Sequence, residues 1–299
     1  MILKEVTLQN FRNYPSLSVS FSDGINVFLG ENAQGKTNLM EAIYALALAR
    51  SPRTSNEKEM IRWQEDSAKI TGKIQKRVST FPLEIIFSKK GKIAKVNHLE
   101  QKKLSQYIGQ LNVVLFAPED LNLVKGAPAN RRKFLDMELG QMNPVYLHDL
   151  VQYQRILKQR NLYLKQLVTG KAKDEVYLDV LTEQLAILGA DLLVYRLQFI
   201  KKLEAWAQPL HKEISLEREE LTIAYKSNVE LSDEMDKDAL FLKLMEAFKQ
   251  GKSRERDQAV TLFGPHRDDL VFQVNGRNVQ NFGSQGQLSS VSNWRKSNV

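Results

Sequence analysis

The chain has 299 residues, of which 42% are hydrophobic and none is cysteine. This length suffices for one large core or two smaller ones, and the lack of cysteine excludes disulfides, thiolate zinc sites and cysteine nucleophiles. The 43 Lys and Arg against 35 Asp and Glu give a formal net charge of +8, which favours a polyanionic partner such as nucleic acid. No apolar run is long enough for a membrane span, and MILKEVTLQNFRNY lacks the features of a signal peptide, so we expect a cytoplasmic protein.

The first third of the chain predicts strands around one helix. Apolar and polar residues alternate over residues 2–8 and 17–21, which indicates two half-buried strands, and INVFLG at 25–30 is typical of a strand buried on both faces. The spacing then changes to that of a helix over residues 36–50. Residues 83–99 predict a hairpin that turns at Lys90 and Gly91, and NVVLFAP at 112–118 predicts a further buried strand.

The middle third predicts helices. Apolar residues follow alternating four-and-three spacing from Tyr146 to Leu167, broken only by Arg160, and the pattern resumes from Leu178 to Phe199. The intervening TGKAKD at 169–174 is short, so we expect an antiparallel helical pair, although an ordinary helical bundle fits the same pattern. After Leu221, LTIAY, AVTLF and DDLVFQVNGRNV predict strands again, with a hairpin at Asn275-Gly276.

The most specific motif is GENAQGKT, which matches G-x-x-x-x-G-K-[ST]. Its residues are Gly30, Glu31, Asn32, Ala33, Gln34, Gly35, Lys36 and Thr37. The motif predicts a loop whose backbone amides bind phosphate, with Lys36 on the β- and γ-phosphates and the Thr37 hydroxyl on Mg²⁺. A predicted strand before it and an amphipathic helix after it support ATP or GTP binding over a plain glycine-rich turn.

Several longer strings resemble the RecF family of bacterial DNA replication and repair proteins. They are LQNFRNY, GENAQGKTNLMEAIYALALARSPR, LFAPEDLNLVKGAPANRRKFLD, GPHRDDLVF and GSQGQ, in order from residue 1 to about 287. The resemblance implies an α/β fold with a P-loop ABC-type ATPase lobe and an inserted α-helical lobe that contains the helical pair. We therefore divide the chain into an ATPase lobe at 1–115, a helical lobe at 116–257 and a returning ATPase segment at 258–299.

The family resemblance also implies a function. Its members bind ATP, dimerise around it, bind single-stranded, gapped and duplex DNA, and assist recombinase loading at gaps with the RecO and RecR proteins. Such a protein acts in recombinational repair, the SOS response and replication restart. Ser284, Gln285, Gly286 and Gln287 stand where an ABC signature would contact the ATP of a second subunit, although SQGQ alone is typical of a polar turn.

Other residues give less specific signals. Arg12 resembles the family residue that contacts the base or ribose, against the alternative of a salt-bridged surface arginine. Arg131, Arg132 and Lys133 form a cationic run that would contact DNA phosphates, against the alternative of a solvated face. His266 and Asp268 lie in the family string GPHRDD, and we expect a structural role for them rather than a catalytic dyad.

RecF-like proteins also carry an apolar strand that ends in acidic residues after GSQGQ. The 12 residues after Gln287 contain no Asp or Glu. We therefore expect the weak DNA-dependent ATPase activity of the family to be impaired in this chain, with no catalytic carboxylate assigned.

Residues 292–298 can be encoded so that another frame reads Lys-Leu-Ala-Glu-Ile-Glu, which suggests a frameshift. A P-loop enzyme of another class, such as a small-molecule kinase or transporter ATPase, and a non-functional frameshifted fragment remain alternatives.

Overall fold

The computed structural model describes residues 1–31, 33–116, 121–232 and 235–282. The chain forms two compact units, of which unit 1 comprises Met1–Leu115 and Gly140–Pro144, and unit 2 comprises Phe116–Leu139 and the residues from Val145 onward. Residues 258–282 thus lie in unit 2 with the helical residues, whereas the sequence division places them in the ATPase lobe. The assignment of the three segments to functional lobes stays a prediction.

Unit 1 contains a six-stranded sheet in which each neighbouring pair of strands is antiparallel. The order across the sheet is β2-β1-β3-β4-β5-β6. The strands are β1 (Ile2–Phe11), β2 (Tyr14–Ser20), β3 (Ser67–Gln75), β4 (Thr80–Ser88), β5 (Gly91–Val96) and β6 (Leu99–Glu100). The hairpin predicted at Lys90 and Gly91 is therefore confirmed, and so are the first two strands.

Helix α1 (Lys36–Leu48) supplies the rest of the core of unit 1. Its buried residues face buried apolar side chains of the strands, such as Val6, Leu8 and Ile70. The helix approaches the sheet closely at Gly72 of β3, where an added Cβ would clash with the Leu46 side chain. A glycine in a strand commonly marks such close packing. Two short 3₁₀ helices, Glu57–Met60 and Leu104–Gln106, complete the unit.

The predicted buried strand at 25–30 is wrong. Residues 25–30 form no strand, and Ile25, Val27 and Leu29 are 91%, 71% and 89% exposed. The Asn26 side chain instead bonds to the backbone of Ser22 and Gly24, which closes a local turn before the segment. An apolar run becomes a buried strand only where a neighbouring strand forms hydrogen bonds with its backbone N–H and C=O groups. None of the described strands pairs with residues 25–30.

Two further predicted strands are also wrong. Residues 112–116 form no strand, because the buried side chain of Gln141 bonds to both the N–H and the C=O of Val113, at 2.9 and 3.2 Å. Residues 259–263 form no strand either, because Asn161 accepts from the Thr261 amide at 2.8 Å and Glu255 from the Leu262 amide at 2.7 Å. In both places polar side chains satisfy backbone groups that a sheet ladder would otherwise pair.

Unit 2 is built around the antiparallel helical pair that the heptad spacing predicts. Its members are α4 (Pro144–Val168) and α5 (Glu175–Ile214), which follow the shorter helices α2 (Leu121–Lys125) and α3 (Pro128–Met142). Contacts pair Tyr146 with Arg196 near one end and Arg160 with Thr182 near the other, so the two helices run in opposite directions. The Asp174 carboxylate caps α5 by accepting from the Val176 amide at 2.9 Å.

The remainder of unit 2 is a long helix and a small sheet. Helix α6 (Lys237–Gln258) packs against α5 through Leu240, Leu244 and Phe248. The sheet has three antiparallel strands, β7 (Leu221–Lys226), β8 (Asp269–Val274) and β9 (Arg277–Asn278), and is followed by α7 (Val279–Phe282). The turn between β8 and β9 has positive φ at Asn275 and Gly276, as the predicted hairpin requires.

Among the described residues, no helix combines the length and the apolar character that crossing a membrane requires.

Candidate functional site: a phosphate-binding loop and its supporting ion pairs

The loop at residues 30–37 has a backbone that only particular residues tolerate. The φ angle is positive at Gly30, Ala33 and Gly35, with values of 154°, 65° and 106°. A Cβ at Gly35 would lie 2.7 Å from Cζ of Tyr14 and closer still to its hydroxyl. Packing and backbone conformation therefore both require glycine at this position of the motif.

Helix α1 begins directly after this loop, with Gly35 as its N-cap residue. The amide of Leu39 donates to the Gly35 carbonyl at 3.0 Å. The amides of Lys36, Thr37 and Asn38 precede that bond, so helix geometry leaves them to face groups outside the helix. Because the helix dipole is positive at this end, the first turn of α1 favours an anion.

The side chain of Lys36 lies over the loop that precedes it. Its ammonium donates to the Glu31 carbonyl at 2.7 Å and also to the Gly30 carbonyl. The Thr37 side chain is exposed in the first turn of α1. The structure thus brings the described motif residues, among them Gln34, into one loop and helix start. Asn32 lies outside the described residues, and the nucleotide contacts of all of them stay a prediction.

Arg12 lies at the turn between β1 and β2, where its φ is 52°. Its guanidinium forms a two-point ion pair with Glu41 of α1, with Nε to Oε2 at 2.9 Å and Nη2 to Oε1 at 2.6 Å. The remaining nitrogen, Nη1, donates to the Glu59 carbonyl at 2.8 Å. This is the salt-bridged arrangement that the sequence leaves as an alternative for Arg12, and a nucleotide contact there stays a prediction.

Glu41 is a fully buried carboxylate at the centre of this cluster. Burial alone would raise the pKa of Glu41, but hydrogen bonds from Arg12 and Ser51 and the charges of Arg12 and Arg53 lower it below its ordinary value. Glu41 is therefore ionised near neutral pH. It joins the β1–β2 turn and the chain after α1 to the helix that begins at the phosphate-binding loop.

A polar chain continues from this cluster towards the start of α1. Arg53 Nη1 donates to Asn38 Oδ1 at 3.0 Å, and Asn38 Nδ2 donates to Asn13 Oδ1 at 2.8 Å. Asn38 belongs to the first turn of α1, directly after Thr37. The cluster consequently holds the N-terminal turn of α1 from two sides.

A second polar cluster surrounds residues 264–269 in unit 2. His266 Nε2 faces the Thr261 carbonyl at 3.3 Å, which can only accept, so Nδ1 accepts from the Tyr153 hydroxyl at 2.6 Å. Burial lowers the pKa of His266 to about 4. Asp268 accepts from the Tyr225 and Ser227 hydroxyls at 2.9 and 2.7 Å.

Burial raises the pKa of Asp268 to about 6, although these hydrogen bonds oppose the rise. His266 and Asp268 thus bond to different partners and do not form a dyad with each other.

Buried arginines hold the same segment in place. Arg196 donates to the Pro265 carbonyl at 2.6 Å and pairs with Asp136 at 2.7 Å. Arg160 pairs with Glu255 at 2.6 Å and donates to the Thr261 hydroxyl at 2.8 Å. Because both guanidinium groups are buried, each needs all of these acceptors to offset its desolvation.

Comparison with known proteins gives one consistent result. A family model described as an AAA ATPase domain matches residues 1–257. A "DNA replication and repair protein RecF" of Enterococcus faecalis is 59% identical over 288 residues, which cover 96% of this chain and 77% of that protein. The protein of the same name from Bacillus subtilis is 55% identical over 287 residues, covering 96% and 78%.

The chain belongs to the RecF family.

Solved RecF structures have the same fold. A structure described as the recombination mediator protein RecF-ATP in the RecFOR pathway has a TM-score of 0.93 and 31% identity, and covers 98% of this chain and 79% of that chain. A RecF-ATPrS structure has a TM-score of 0.91 and 31% identity, and covers 99% and 79%. The expected P-loop ATPase fold is confirmed, and a kinase or transporter of another class is excluded. Family membership gives the chain an ATP-binding role in DNA replication and repair.

The structure does not support Arg131 as a DNA contact in this RecF-family chain. Arg131 is buried and forms a two-point ion pair with Asp269, at 2.7 and 2.9 Å. It also donates to the Gly126 carbonyl at 2.8 Å. Arg132 donates to the Asp268 carbonyl at 2.8 Å, and Lys133 is exposed on α3. The cationic run is therefore split, because one of its side chains faces inward.

Sequence reasoning missed the residues that support the loop, namely Glu41, Ser51, Arg53, Asn13 and Asn38. A signal existed for Glu41, since it is the single acid in α1 and lies on the apolar side of that helix. The four signature residues Ser284, Gln285, Gly286 and Gln287 lie outside the described residues. Within the described part of the chain, no group of His, Asp and Glu side chains forms a ready-made metal site.

Proposed function

We propose that this chain binds ATP with Mg²⁺ through residues 30–37, dimerises around the nucleotide, binds DNA at gaps and assists recombinase loading. The observation that carries the proposal is the backbone at the start of α1. There Gly35 has a conformation and a packing environment that exclude any side chain, and three amides precede the first helical bond. Such a loop and helix start suit a polyphosphate.

Within this proposal, Lys36 exchanges the carbonyls of Gly30 and Glu31 for the β- and γ-phosphate oxygens. The move is short, because the ammonium already lies over the loop. Charge-assisted bonds to phosphate are stronger than bonds to neutral carbonyls, so the exchange favours the bound state. Glu31, Asn32, Ala33, Gln34 and Gly30 provide the surrounding backbone, and Arg12 would use its unoccupied N–H groups towards the nucleoside.

Equilibrium binding of a fluorescent ATP analogue tests the nucleotide part. We expect saturable binding by the wild-type chain and a loss on the order of tenfold to a hundredfold for Lys36→Ala, since one set of charge-assisted bonds disappears. Lys90→Ala, on an exposed hairpin turn of the same unit, is the matched control and should bind like wild type. Equal affinity of all three proteins would contradict the proposed site.

Mg²⁺ would be held by the Thr37 hydroxyl and the phosphates. Thr37→Ala should remove most of the Mg²⁺-dependent gain in ATP affinity, whereas Thr37→Ser should retain it because the hydroxyl remains. Titration of ATP with Mg²⁺ and with EDTA measures the difference. A gain that persists in Thr37→Ala would assign the metal to other ligands.

Dimerisation would bring Ser284, Gln285, Gly286 and Gln287 of one subunit to the ATP of the other. Analytical ultracentrifugation should show an ATP-dependent dimer of the wild-type chain. Replacing Ser284 with Arg should abolish the dimer and leave ATP binding by the monomer intact. A dimer that forms equally well without ATP, or with Ser284→Arg, would rule out the signature contact.

The proposed DNA role includes single-stranded, gapped and duplex DNA, with RecO and RecR as partners. It rests on family membership and on the positive net charge of +8. A recombinase-loading assay on gapped DNA coated with single-strand binding protein tests it. Addition of the chain with RecO and RecR should accelerate loading, and an unchanged loading rate would contradict the role.

Turnover is a separate question from binding. With no acidic residue after Gln287, we expect phosphate release from ATP near background for these 299 residues. DNA-stimulated release that Lys36→Ala abolishes would overturn this expectation and leave the binding proposal intact.

A further inference from the structure

One stretch of the chain carries positive charge without any negative charge. Residues 150–173 contain six Lys and Arg and no Asp or Glu. They comprise most of α4 and the loop that follows it in unit 2. Arg160 is buried and pairs with Glu255, but Arg155, Lys158, Lys165, Lys171 and Lys173 are exposed.

The exposed cations of α4 lie on one side of the helix. Val151, Arg155, Lys158, Leu162 and Lys165 follow four-and-three spacing, which places them within an arc of about 80° at about 100° per residue. All five are exposed. The buried residues of α4, among them Tyr153, Arg160 and Leu164, lie on the other side of the helix. We call the row of Arg155, Lys158 and Lys165 the α4 basic stripe.

The α4 basic stripe differs from three cations of the neighbouring helix α6. Lys237, Lys243 and Lys252 of α6 pair with Asp191, Glu230 and Asp179, at 2.7, 3.5 and 3.0 Å. No acidic side chain in the described part of the chain forms an ion pair with a residue of the stripe. A row of exposed cations that the protein does not neutralise is suited to a polyanion.

The chemistry of the stripe selects among polyanions. Its three cations extend over about 15 Å along a straight 25-residue helix, so several phosphates of one backbone are within reach. The stripe includes no aromatic side chain, whereas proteins that bind single strands stack bases on aromatic rings. Contacts by Lys and Arg alone are typical of sequence-independent binding to a duplex backbone.

We propose that the α4 basic stripe binds the phosphate backbone of duplex DNA, with Lys171 and Lys173 extending the contact beyond the end of α4. This inference rests on the proposed DNA role and adds to it the surface that binds the duplex. The cations of the α4 basic stripe, rather than Arg131, are therefore the ones to test for DNA contact, because Arg131 is buried and paired.

The test compares the full chain with a triple variant, Arg155→Gln, Lys158→Gln and Lys165→Gln. Glutamine is a good helix former, so an exposed helix face tolerates it. Affinity for a fluorescently labelled DNA duplex is measured by anisotropy between about 50 and 200 mM salt. The variant should bind on the order of tenfold or more weakly, and the slope of log affinity against log salt should fall by about 3.

Two matched proteins separate the stripe from net charge and from folding. Lys237→Gln, Lys243→Gln and Lys252→Gln together remove the same charge from α6 and should leave both affinity and slope close to wild type. Arg155→Lys, Lys158→Arg and Lys165→Arg together keep the charge and should bind like wild type. Circular dichroism and ATP binding establish that each variant is folded.

The possible outcomes are distinguishable. If the wild-type chain binds no duplex, the stripe proposal fails together with the duplex part of the proposed DNA role, whereas the recombinase-loading assay on gapped DNA tests the rest of that role. If the wild type binds duplex and the stripe variant has the same affinity and salt slope, the stripe is overturned and the DNA role remains. A loss that the α6 variant shares equally would assign the effect to net charge and would also overturn the stripe.

Discussion

Gly35 is the position in the phosphate-binding loop where we expect an added Cβ atom to have the largest effect on stability and ATP affinity. Gly35→Ala adds a Cβ against Tyr14 at a backbone φ of 106°. We expect a loss of about 1–3 kcal/mol in unfolding free energy and at least about tenfold in ATP affinity, because the loop must rearrange. Urea unfolding and titration with a fluorescent ATP analogue measure the two effects.

The double variant Gly35→Ala with Tyr14→Ala separates the two causes. Removal of the ring abolishes the clash with Tyr14 but leaves the unfavourable φ and a close approach of 3.0 Å to Asn13 Nδ2. It should therefore recover part of the ATP affinity and not all of it. Full recovery would show that the clash alone matters.

Glu41 gives a second prediction at the residue scale. Glu41→Gln leaves Arg12 and Arg53 without their carboxylate partner, and breaking a pair at a buried carboxylate costs about 3 kcal/mol. ATP affinity should fall as well, because the first turn of α1 loses its support. Asp66→Asn, which removes the exposed partner of Lys89, is the matched control and should leave unfolding unchanged. Equal stability of both variants would show that the cluster does not hold α1.

The pH dependence of this effect has a defined sign. The pKa of Glu41 in the folded state lies below its ordinary value of 4.5. Its stabilisation is therefore fully present above pH 4.5 and is lost as the pH falls through the lower folded-state pKa. The difference in unfolding free energy between the wild type and Glu41→Gln should accordingly decrease only below about pH 4.5.

Helix α4 follows the apolar heptad spacing except at Arg160, and the structure gives a reason for the exception. Arg160 interrupts the apolar heptad spacing, so the sequence pattern alone predicts that Arg160→Leu would improve the helical pair. The structure predicts the opposite, because the change leaves Glu255 buried without its cation. We expect a loss of about 3–5 kcal/mol in unfolding free energy.

Gln159→Leu is the control for this variant. Gln159 is the exposed neighbour of Arg160, and surface substitutions of this kind change stability by about 0.5 kcal/mol or less. Chemical unfolding of the two variants under the same conditions tests the prediction. A stabilised Arg160→Leu protein would show that the ion pair is replaceable by apolar packing.

Local chemistry made some elements predictable and long-range pairing made others unpredictable. Residues that are close together in the sequence determine the turns at Gly91 and Asn275-Gly276. The same is true of the apolar heptad spacing of α4 and α5. The segments at 25–30 and 112–116 are not determined in this way, because an apolar run cannot reveal whether a partner strand is present. Helix α6 was not predicted, since its large apolar side chains end at Phe248 and its last ten residues are polar or glycine.

The same distinction applies to the candidate site. The motif from Gly30 to Thr37 is contiguous and was predicted from spacing alone. Its support was not, because the partner of Arg12 is 29 positions away and that of Arg131 is 138 positions away. A cation in a sequence gives no indication of whether its side chain is buried. The folded position of an acid such as Asp269 decides that.

At the scale of the whole molecule, two buried groups oppose each other in their effect on stability. The pKa of Asp268 is raised from 3.8 to about 6, so the folded state binds a proton that the unfolded state has lost, and stability falls as the pH rises through this window. The pKa of His266 is lowered from 6.5 to about 4, so stability rises over nearly the same window. Each effect is about 3 kcal/mol, and the two largely cancel.

Single variants should expose this cancellation. Between about pH 4 and 6, Asp268→Asn should make stability rise more steeply with pH than in the wild type, and His266→Gln should shift the slope in the opposite direction, because each variant retains only one of the two opposing effects. Urea unfolding at a series of pH values gives the three curves. Parallel curves would mean that neither group titrates differently in the folded and unfolded states.

The ion pair of Arg160 also has a geometric consequence for the helical pair. Two helices with apolar heptads can slide past each other by one repeat, about 10 Å, and still place leucine against leucine. Such a slide would separate Arg160 from Thr182 and Glu255, and Arg196 from Tyr146 and Asp136. The buried charges therefore fix a single register. A displacement of residues 169–174, at the tip of the helical pair, would therefore move both helices together, because neither helix can slide along the other.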